Sequence, residues 1–142
     1  MKRVLFAVAI TAISLLTACV KEKNPKEEET KASAIAGVWE LSDITTKASV
    51  GSVNVSVYLD FASDGNFTLY QKIGEGRYTK FTGTYALDKD SLSGKYSDGK
   101  AWGPYKAEIN ASALTLTKEG GNETDTYRKI DAVPETVTTN LY

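Results

Sequence analysis

Apolar and polar residues alternate along most of the chain from Gly37 onward, with a period of two. The clearest stretch has an apolar residue at every second position: Val53, Val55, Val57, Leu59 and Phe61. Successive side chains of a β-strand point to opposite faces, so this pattern is typical of a strand with one buried face. No stretch after residue 37 has the period of a long helix. The pattern therefore predicts an all-β protein.

Eight such segments follow one another at intervals of about a dozen residues, as expected for a sandwich or a barrel. The predicted strands are Val38–Ile44, Val53–Phe61, Phe67–Ile73, Phe81–Leu87, Leu92–Tyr96, Tyr105–Ile109, Leu114–Lys118 and Thr124–Ile130. Short turns such as Ser63-Asp64-Gly65 connect them, and tight hairpins place each strand beside its predecessor. Closing the sheet into a barrel would leave no edge strand with unpaired backbone groups. We therefore predict a small eight-stranded antiparallel up-and-down barrel.

The N-terminus has the pattern of a secretory signal segment. Lys2 and Arg3 are basic, and Val4 to Leu16 is almost entirely apolar. This run is shorter than the roughly 20 residues that a membrane-spanning helix needs. We expect it to direct export and to take no part in the fold.

The end of that run, Leu16-Thr17-Ala18-Cys19, resembles the lipobox of bacterial lipoproteins. The resemblance implies cleavage after Ala18 and attachment of lipid, palmitate included, to Cys19, which would anchor the protein to a membrane. The alternative is an ordinary signal peptide followed by a coincidental cysteine. Cys19 is the only cysteine in the chain, so the mature fold would contain no disulfide.

A charged segment of lysines and glutamates follows Cys19, and it is too polar to fold on its own. Lys21-Glu22 and Glu27-Glu28-Glu29 resemble the surface-export signal of lipoproteins in a Gram-negative phylum rich in gut anaerobes. That resemblance implies an outer-membrane lipoprotein exposed at the cell surface, whereas the simpler interpretation is a solvated spacer. The expected organisation is a signal peptide (1–18), a linker (19–34), a barrel (35–131) and an extended C-terminal tail (132–142).

Motifs within the barrel region resemble those of lipocalins. Gly37-Val38-Trp39 is similar to their G-x-W signature. Four later segments resemble the small lipocalin-like domains of bacterial lipoproteins: Leu59–Phe61, Asp64–Phe67, Gly83–Tyr85 and Tyr127–Lys129. The resemblance covers roughly residues 35–130 and implies a binding protein. The chain is shorter than full-size lipocalins, and residues 131–142 do not have the pattern of their C-terminal helix.

The aromatic residues are the candidate binding groups. We expect large inward side chains to fill most of the barrel, leaving at most a shallow cup, with Trp39 as a plug at the N-terminal end. Trp102 and Tyr105 flank Gly103-Pro104 in or beside a predicted loop, and Tyr58, Tyr70 and Tyr78 fall on polar faces or out of register. Exposed aromatics can contact a ligand or a partner; the alternative is ordinary cross-strand pairing.

The composition argues against several kinds of chemistry. The chain has no histidine, so it lacks the usual general base and the commonest metal ligand. Signal cleavage would remove Lys2 and Arg3 and leave an acidic protein, which does not favour nucleic-acid binding. Asp60 and Asp64 as a glycosidase pair, or Asp88 and Asp90 as calcium ligands, are weaker interpretations than turn formation. We expect no enzyme activity, no metal and no cofactor.

Two functional classes remain after these exclusions. The first is a lipid-anchored binding module that holds a small apolar or glycan-like ligand. The second is an interaction or inhibitor module with a filled barrel, whose exposed aromatics and loops recognise an envelope or host protein. A large cavity would favour the first, and a filled barrel with an exposed apolar patch would favour the second.

Overall fold

The computed structural model describes residues 34–44 and 54–142. The signal segment, Cys19 and nearly all of the charged linker lie outside the described residues, as does the connection between the first two strands. Among the residues described, no helix is long and apolar enough to cross a membrane.

Eight antiparallel strands form one closed barrel. Each strand pairs with its neighbours in sequence, and the last strand pairs with the first. The strands are β1 (Gly37–Ile44), β2 (Val55–Phe61), β3 (Asn66–Ile73), β4 (Thr79–Asp88), β5 (Ser91–Tyr96), β6 (Ala101–Ile109), β7 (Ala113–Lys118) and β8 (Thr124–Ile130). The predicted up-and-down barrel is therefore confirmed. Every strand finds both partners within residues 34–142, so this part of the chain contains the complete barrel.

The register places the alternating apolar residues on the inner face. Leu59 of β2 is paired with Trp39 on one side and with Leu69 on the other, so three large side chains lie in one row across β1, β2 and β3. Trp39 is completely buried and Leu59 nearly so. The period-two pattern has its physical cause here, because one face of each strand lines the interior.

A second apolar cluster lies on the outer face, beneath the C-terminal segment. After β8 the chain forms one helical turn, α1 (Glu135–Thr138), and its buried Val137 belongs to a cluster with Tyr58, Tyr70 and Tyr78. The amide of Tyr78 donates to the carbonyl oxygen of Asn140 at 2.9 Å, and the amide of Tyr142 donates to that of Tyr78 at 3.1 Å. The segment was expected to be extended, but it contains a helical turn and covers one side of the barrel.

The β5–β6 pairing contains an irregularity that changes which side chains face inward. The register shifts between Leu92 and Gly94, opposite the segment that contains Gly103. Gly103 has a φ of 81°, and a Cβ atom there would lie 2.7 Å from the carbonyl oxygen of Leu92. Glycine is therefore needed at this position. Because of the bulge, Trp102 and Tyr105 both line the interior although they are three residues apart.

Candidate functional site

The barrel contains a partly open cavity of about 370 Å³. It lies toward the end where β2, β6 and β8 begin, and its walls are largely apolar: Leu41, Val55, Val57, Leu59, Phe61, Phe67, Leu69, Leu92 and Leu116. The prediction of a largely filled interior was wrong. Ile73 and Phe81, which were expected to fill it, are 62% and 38% exposed. Both lie on the inner face by register, since Ile73 pairs with Val55 and Phe81 with Leu69, but neither lines the cavity.

The opposite end of the barrel is filled by Trp39. Its side chain is completely buried, and its indole Nε1 donates to the carbonyl oxygen of Ile35 at 2.8 Å. The ammonium nitrogen of Lys129 lies 5.2 Å from the centroid of the Trp39 ring, within the range of a cation–π contact. Trp39 does not line the cavity. It occupies the position near the N-terminal segment at which the sequence suggested a plug.

An aromatic wall forms one side of the cavity. The ring of Phe67 makes edge contacts with Trp102 at 5.1 Å and with Tyr96 at 5.8 Å between centroids. Gly94 makes room for this wall, because a Cβ atom there would lie 2.5 Å from the Trp102 ring. The indole Nε1 of Trp102 is buried and has no hydrogen-bond partner in the part of the chain that the structure describes. Trp102 is thus held by ring packing.

Polar groups also line the cavity: Gln71, Tyr96, Tyr105, Asp125 and Tyr127. Tyr127 is only 6% exposed, and its hydroxyl has no hydrogen bond to any described residue. Burial raises the pKa of Tyr127 well above its usual range, and the nearby Asp125, Tyr105 and Tyr96 raise it further. These electrostatic contacts indicate that the four groups lie near one another. The cavity therefore has a polar side with unused hydrogen-bonding capacity.

Asp125 is the charged member of this polar group. It pairs with the buried Leu116 of β7 in the strand register, which directs its side chain to the inner face. Burial raises the pKa of Asp125 above its ordinary value, and the neighbouring Glu123 adds to the effect. No lysine or arginine is among the cavity-lining residues that the structure describes. The carboxylate is therefore partly desolvated, and none of the described lining residues is a cation that could pair with it.

A separate polar arrangement lies on the outer face, where Glu40 joins β2 to β8. The hydroxyl of Tyr58 donates to one carboxylate oxygen of Glu40 at 3.0 Å, and Nε of Arg128 donates to the other at 2.7 Å. Burial, and then the hydrogen bond to Glu40, raise the pKa of Tyr58 to about 12. These contacts cross-link the three strands β1, β2 and β8 on the outer face of the barrel.

The structure separates the predicted contact residues into two groups. Trp102 and Tyr105 are half-buried and line the cavity from within strand β6, which begins four residues earlier than the predicted strand Tyr105–Ile109 and so includes Trp102. Tyr58, Tyr70 and Tyr78 were expected to be exposed, and that expectation was wrong, because Val137 and its neighbours cover them. These three tyrosines contact the chain's own C-terminal segment.

Three polar lining residues were missed in the sequence: Gln71, Asp125 and Tyr127. Asp125 and Tyr127 lie two residues apart on the inner face of β8, and their pairing with Leu116 and Leu114 is what shows this. Across the described ranges, 34–44 and 54–142, no group of three or more acidic, histidine or cysteine side chains is arranged to hold a metal ion. The cavity is thus a candidate binding site with apolar walls and a few hydrogen-bonding groups.

Two solved structures are similar to this chain. The lipoprotein YedD from Klebsiella pneumoniae is similar in structure, with a TM-score of 0.52 and 10% sequence identity over 75% of this chain and 80% of that protein. A DUF4847 family protein from Bacteroides vulgatus has a TM-score of 0.47 and 14% identity over 73% of this chain and 99% of that one. No curated protein matches the chain significantly.

The family model of the lipocalin-like domain matches residues 35–116, which is more than half of the chain. The match begins just before Gly37-Val38-Trp39 and extends into β7, so it includes Trp39, the aromatic wall and most of the cavity lining. The order of the motifs, the closed eight-stranded barrel and the internal cavity all agree with it. The chain therefore belongs to the lipocalin-like domain family.

Proposed function

We propose that this protein is a lipid-anchored, non-catalytic binding module of the bacterial envelope, holding one small and mostly apolar ligand inside its barrel. The observation that carries the proposal is the cavity of about 370 Å³ with apolar walls and one polar side. This volume lies near the lower end of the usual range for small-molecule sites, roughly 300–1,000 Å³. A few polar groups among apolar walls typically fix the orientation of a ligand.

The location rests on the N-terminal sequence. Leu16-Thr17-Ala18-Cys19 resembles a lipobox, which supports lipid attachment to Cys19. A structural neighbour, YedD, is itself described as a lipoprotein. The charged residues that follow Cys19 support display at the surface of the outer membrane.

A non-catalytic role is supported by the kinds of groups in the cavity. Asp125 is its one carboxylate among the described lining residues, and the chain contains no histidine to act as a general base. The alternative, an interaction module with a filled barrel, is less well supported because the barrel contains a cavity.

Titration with phenylnaphthylamine, a neutral apolar fluorophore, tests the binding function. The protein from Ser33 to Tyr142 is suitable because it contains all eight strands. Leu69→Trp places a larger side chain in the cavity wall, and Thr68→Trp is its matched control on the opposite face of β3. We expect saturable fluorescence with the wild type and Thr68→Trp but not with Leu69→Trp. Equal fluorescence from all three proteins would contradict binding inside the barrel.

Metabolic labelling tests the anchor. Radioactive palmitate should be incorporated into the full-length protein, and the Cys19→Ala variant should remain unlabelled. Labelling of the variant to the wild-type level would contradict attachment at Cys19.

A further inference from the structure

We propose that the ligand of this cavity is a small organic amine, whose ammonium group is held by Asp125 and the neighbouring tyrosines while its apolar body packs against the leucine and valine walls. This inference rests on the proposed binding function and specifies the chemical class of the ligand.

The first argument is the charge of the cavity. Asp125 contributes a carboxylate to the lining, and no basic side chain accompanies it among the described lining residues. In the β7–β8 hairpin, Lys118 pairs with Tyr105 at the end of β7, and both Lys118 and Glu123 are exposed and outside the cavity lining. Removing a carboxylate from water without a partner is unfavourable, and a cation placed beside it offsets the loss of hydration. A positively charged ligand supplies that partner.

The second argument is the hydrogen-bonding capacity around Asp125. Tyr127 is more than nine-tenths buried, and its hydroxyl has no partner among the described residues. A protonated primary amine has three N–H donors and no acceptor. The ionised carboxylate of Asp125 can only accept hydrogen bonds, and the hydroxyl oxygens of Tyr127 and Tyr105 can accept as well as donate. Asp125 is therefore the group that favours an ammonium group over an acceptor-only ligand, and the two hydroxyls can accept its remaining N–H groups.

The third argument is the aromatic wall beside these acceptors. Tyr96, Trp102 and Tyr105 all line the cavity, and Tyr96 and Trp102 are held in place by Phe67. Aromatic rings attract cations through their electron-rich faces, and the attraction is larger where water is excluded. A cationic head group thus meets favourable surroundings on the side of the cavity that also carries Asp125.

The same charge disfavours an anionic ligand. The carboxylate of a fatty acid placed against this polar side would face Asp125, and two carboxylates in close contact cannot both remain ionised without a penalty. A neutral alcohol would form hydrogen bonds there without gaining the ionic attraction. Affinity should therefore fall in the order amine, alcohol, carboxylate for ligands with the same apolar body.

Isothermal titration calorimetry at neutral pH with phenethylamine, phenethyl alcohol and hydrocinnamate tests this order on the protein from Ser33 to Tyr142. We expect the amine to bind about ten- to a hundredfold more tightly than the alcohol, as for hydrogen bonds that gain a charge. The carboxylate should bind most weakly. Asp125→Asn should bring amine and alcohol within about threefold, whereas the control Glu123→Gln, which removes a nearby exposed charge, should keep the preference.

The outcomes separate this inference from the proposed function. Two results would overturn the amine inference: equal affinities for the three compounds, or tightest binding of the carboxylate. If Leu69→Trp abolishes that binding, the proposed binding function remains intact. An amine preference that survives Asp125→Asn would also overturn the amine inference. Failure of all three compounds to bind would overturn the amine inference. If, in addition, no ligand co-purifies with the protein, the result would count against the binding function.

Discussion

The indole Nε1 of Trp39 and the carbonyl oxygen of Ile35 form a 2.8 Å hydrogen bond at the closed end of the barrel. Both residues are completely buried. The bond joins the segment that leads into β1 to the first inward side chain of that strand. It satisfies the one polar atom of the Trp39 side chain, so that a large aromatic ring can fill this end without an unpaired donor.

Trp39 should be among the most sensitive positions for stability. We expect Trp39→Ala to lower the free energy of unfolding by about 3–5 kcal/mol, as for other buried aromatic residues. Trp39→Phe should cost about 1–3 kcal/mol, because the carbonyl of Ile35 then loses its buried donor. Urea denaturation measures both. A loss below about 1 kcal/mol for Trp39→Ala would contradict the placement of this residue in the core.

Trp102 should respond differently to the same conservative change. Its Nε1 is buried without a partner among the described residues, while its ring packs against Phe67. Trp102→Phe removes the unpaired donor and retains an aromatic ring, so stability should be unchanged or slightly higher. Trp39→Phe is the matched comparison, since it removes a donor that is bonded. Equal losses for the two variants in urea denaturation would show that Nε1 of Trp102 has a partner.

Val137 should contribute to stability although it lies outside the barrel. Its side chain is 1% exposed and packs in the cluster with Tyr58, Tyr70 and Tyr78. We expect Val137→Ala to cost about 1–3 kcal/mol through lost apolar burial. Thr136→Ala, at an exposed neighbouring position, is the control and should change stability little. If thermal melts of the two variants agree, the C-terminal segment does not stabilise the barrel.

Asp125 should make stability depend on pH in a defined direction. Because its pKa is raised in the folded protein, chiefly by burial and then by Glu123, the folded state holds this proton more tightly than the unfolded state does. Stability is therefore lost as pH rises from the ordinary value, 3.8, through the folded pKa, and the penalty persists above it.

Asp125→Asn removes this penalty because the amide does not ionise. We expect the variant to melt at a higher temperature than the wild type at pH 7 and to lose that advantage near pH 3. Glu123→Gln removes the smaller of the two causes that raise the Asp125 pKa. Its melting temperature at pH 7 should therefore also rise, but by less than that of Asp125→Asn. A variant that is less stable than the wild type at pH 7 would contradict the desolvated position of the carboxylate.

The barrel was predictable because its determinants are local. Alternation along β2, as in Val57, Leu59 and Phe61, identifies the buried face, and short turns such as Asp64-Gly65 fix the order of the strands. Pairing of β1 with β8 follows from the need to bury strand edges rather than from any local signal. The alternation of apolar residues, the short turns and the need to bury strand edges were together sufficient to predict the topology.

The site was less predictable because it depends on contacts between distant residues. Tyr58 is outward by alternation, but its burial depends on Val137, nearly 80 residues later. Trp102 and Tyr105 differ by an odd spacing, and only the bulge at Gly103 places both inside. The inward direction of Asp125 is decided by its register with Leu116, because the polar residues of β8 do not reveal which face is buried.

Native mass spectrometry of the protein from Ser33 to Tyr142, purified without detergent from a bacterial periplasm, tests the central claim most directly. Leu69→Trp and Thr68→Trp should be measured in parallel. We predict an additional mass that is lost on denaturation, present on the wild type and Thr68→Trp and absent from Leu69→Trp. Bare masses for all three proteins, even after exposure to envelope extracts of a bacterium that produces the protein, would contradict a ligand-binding barrel.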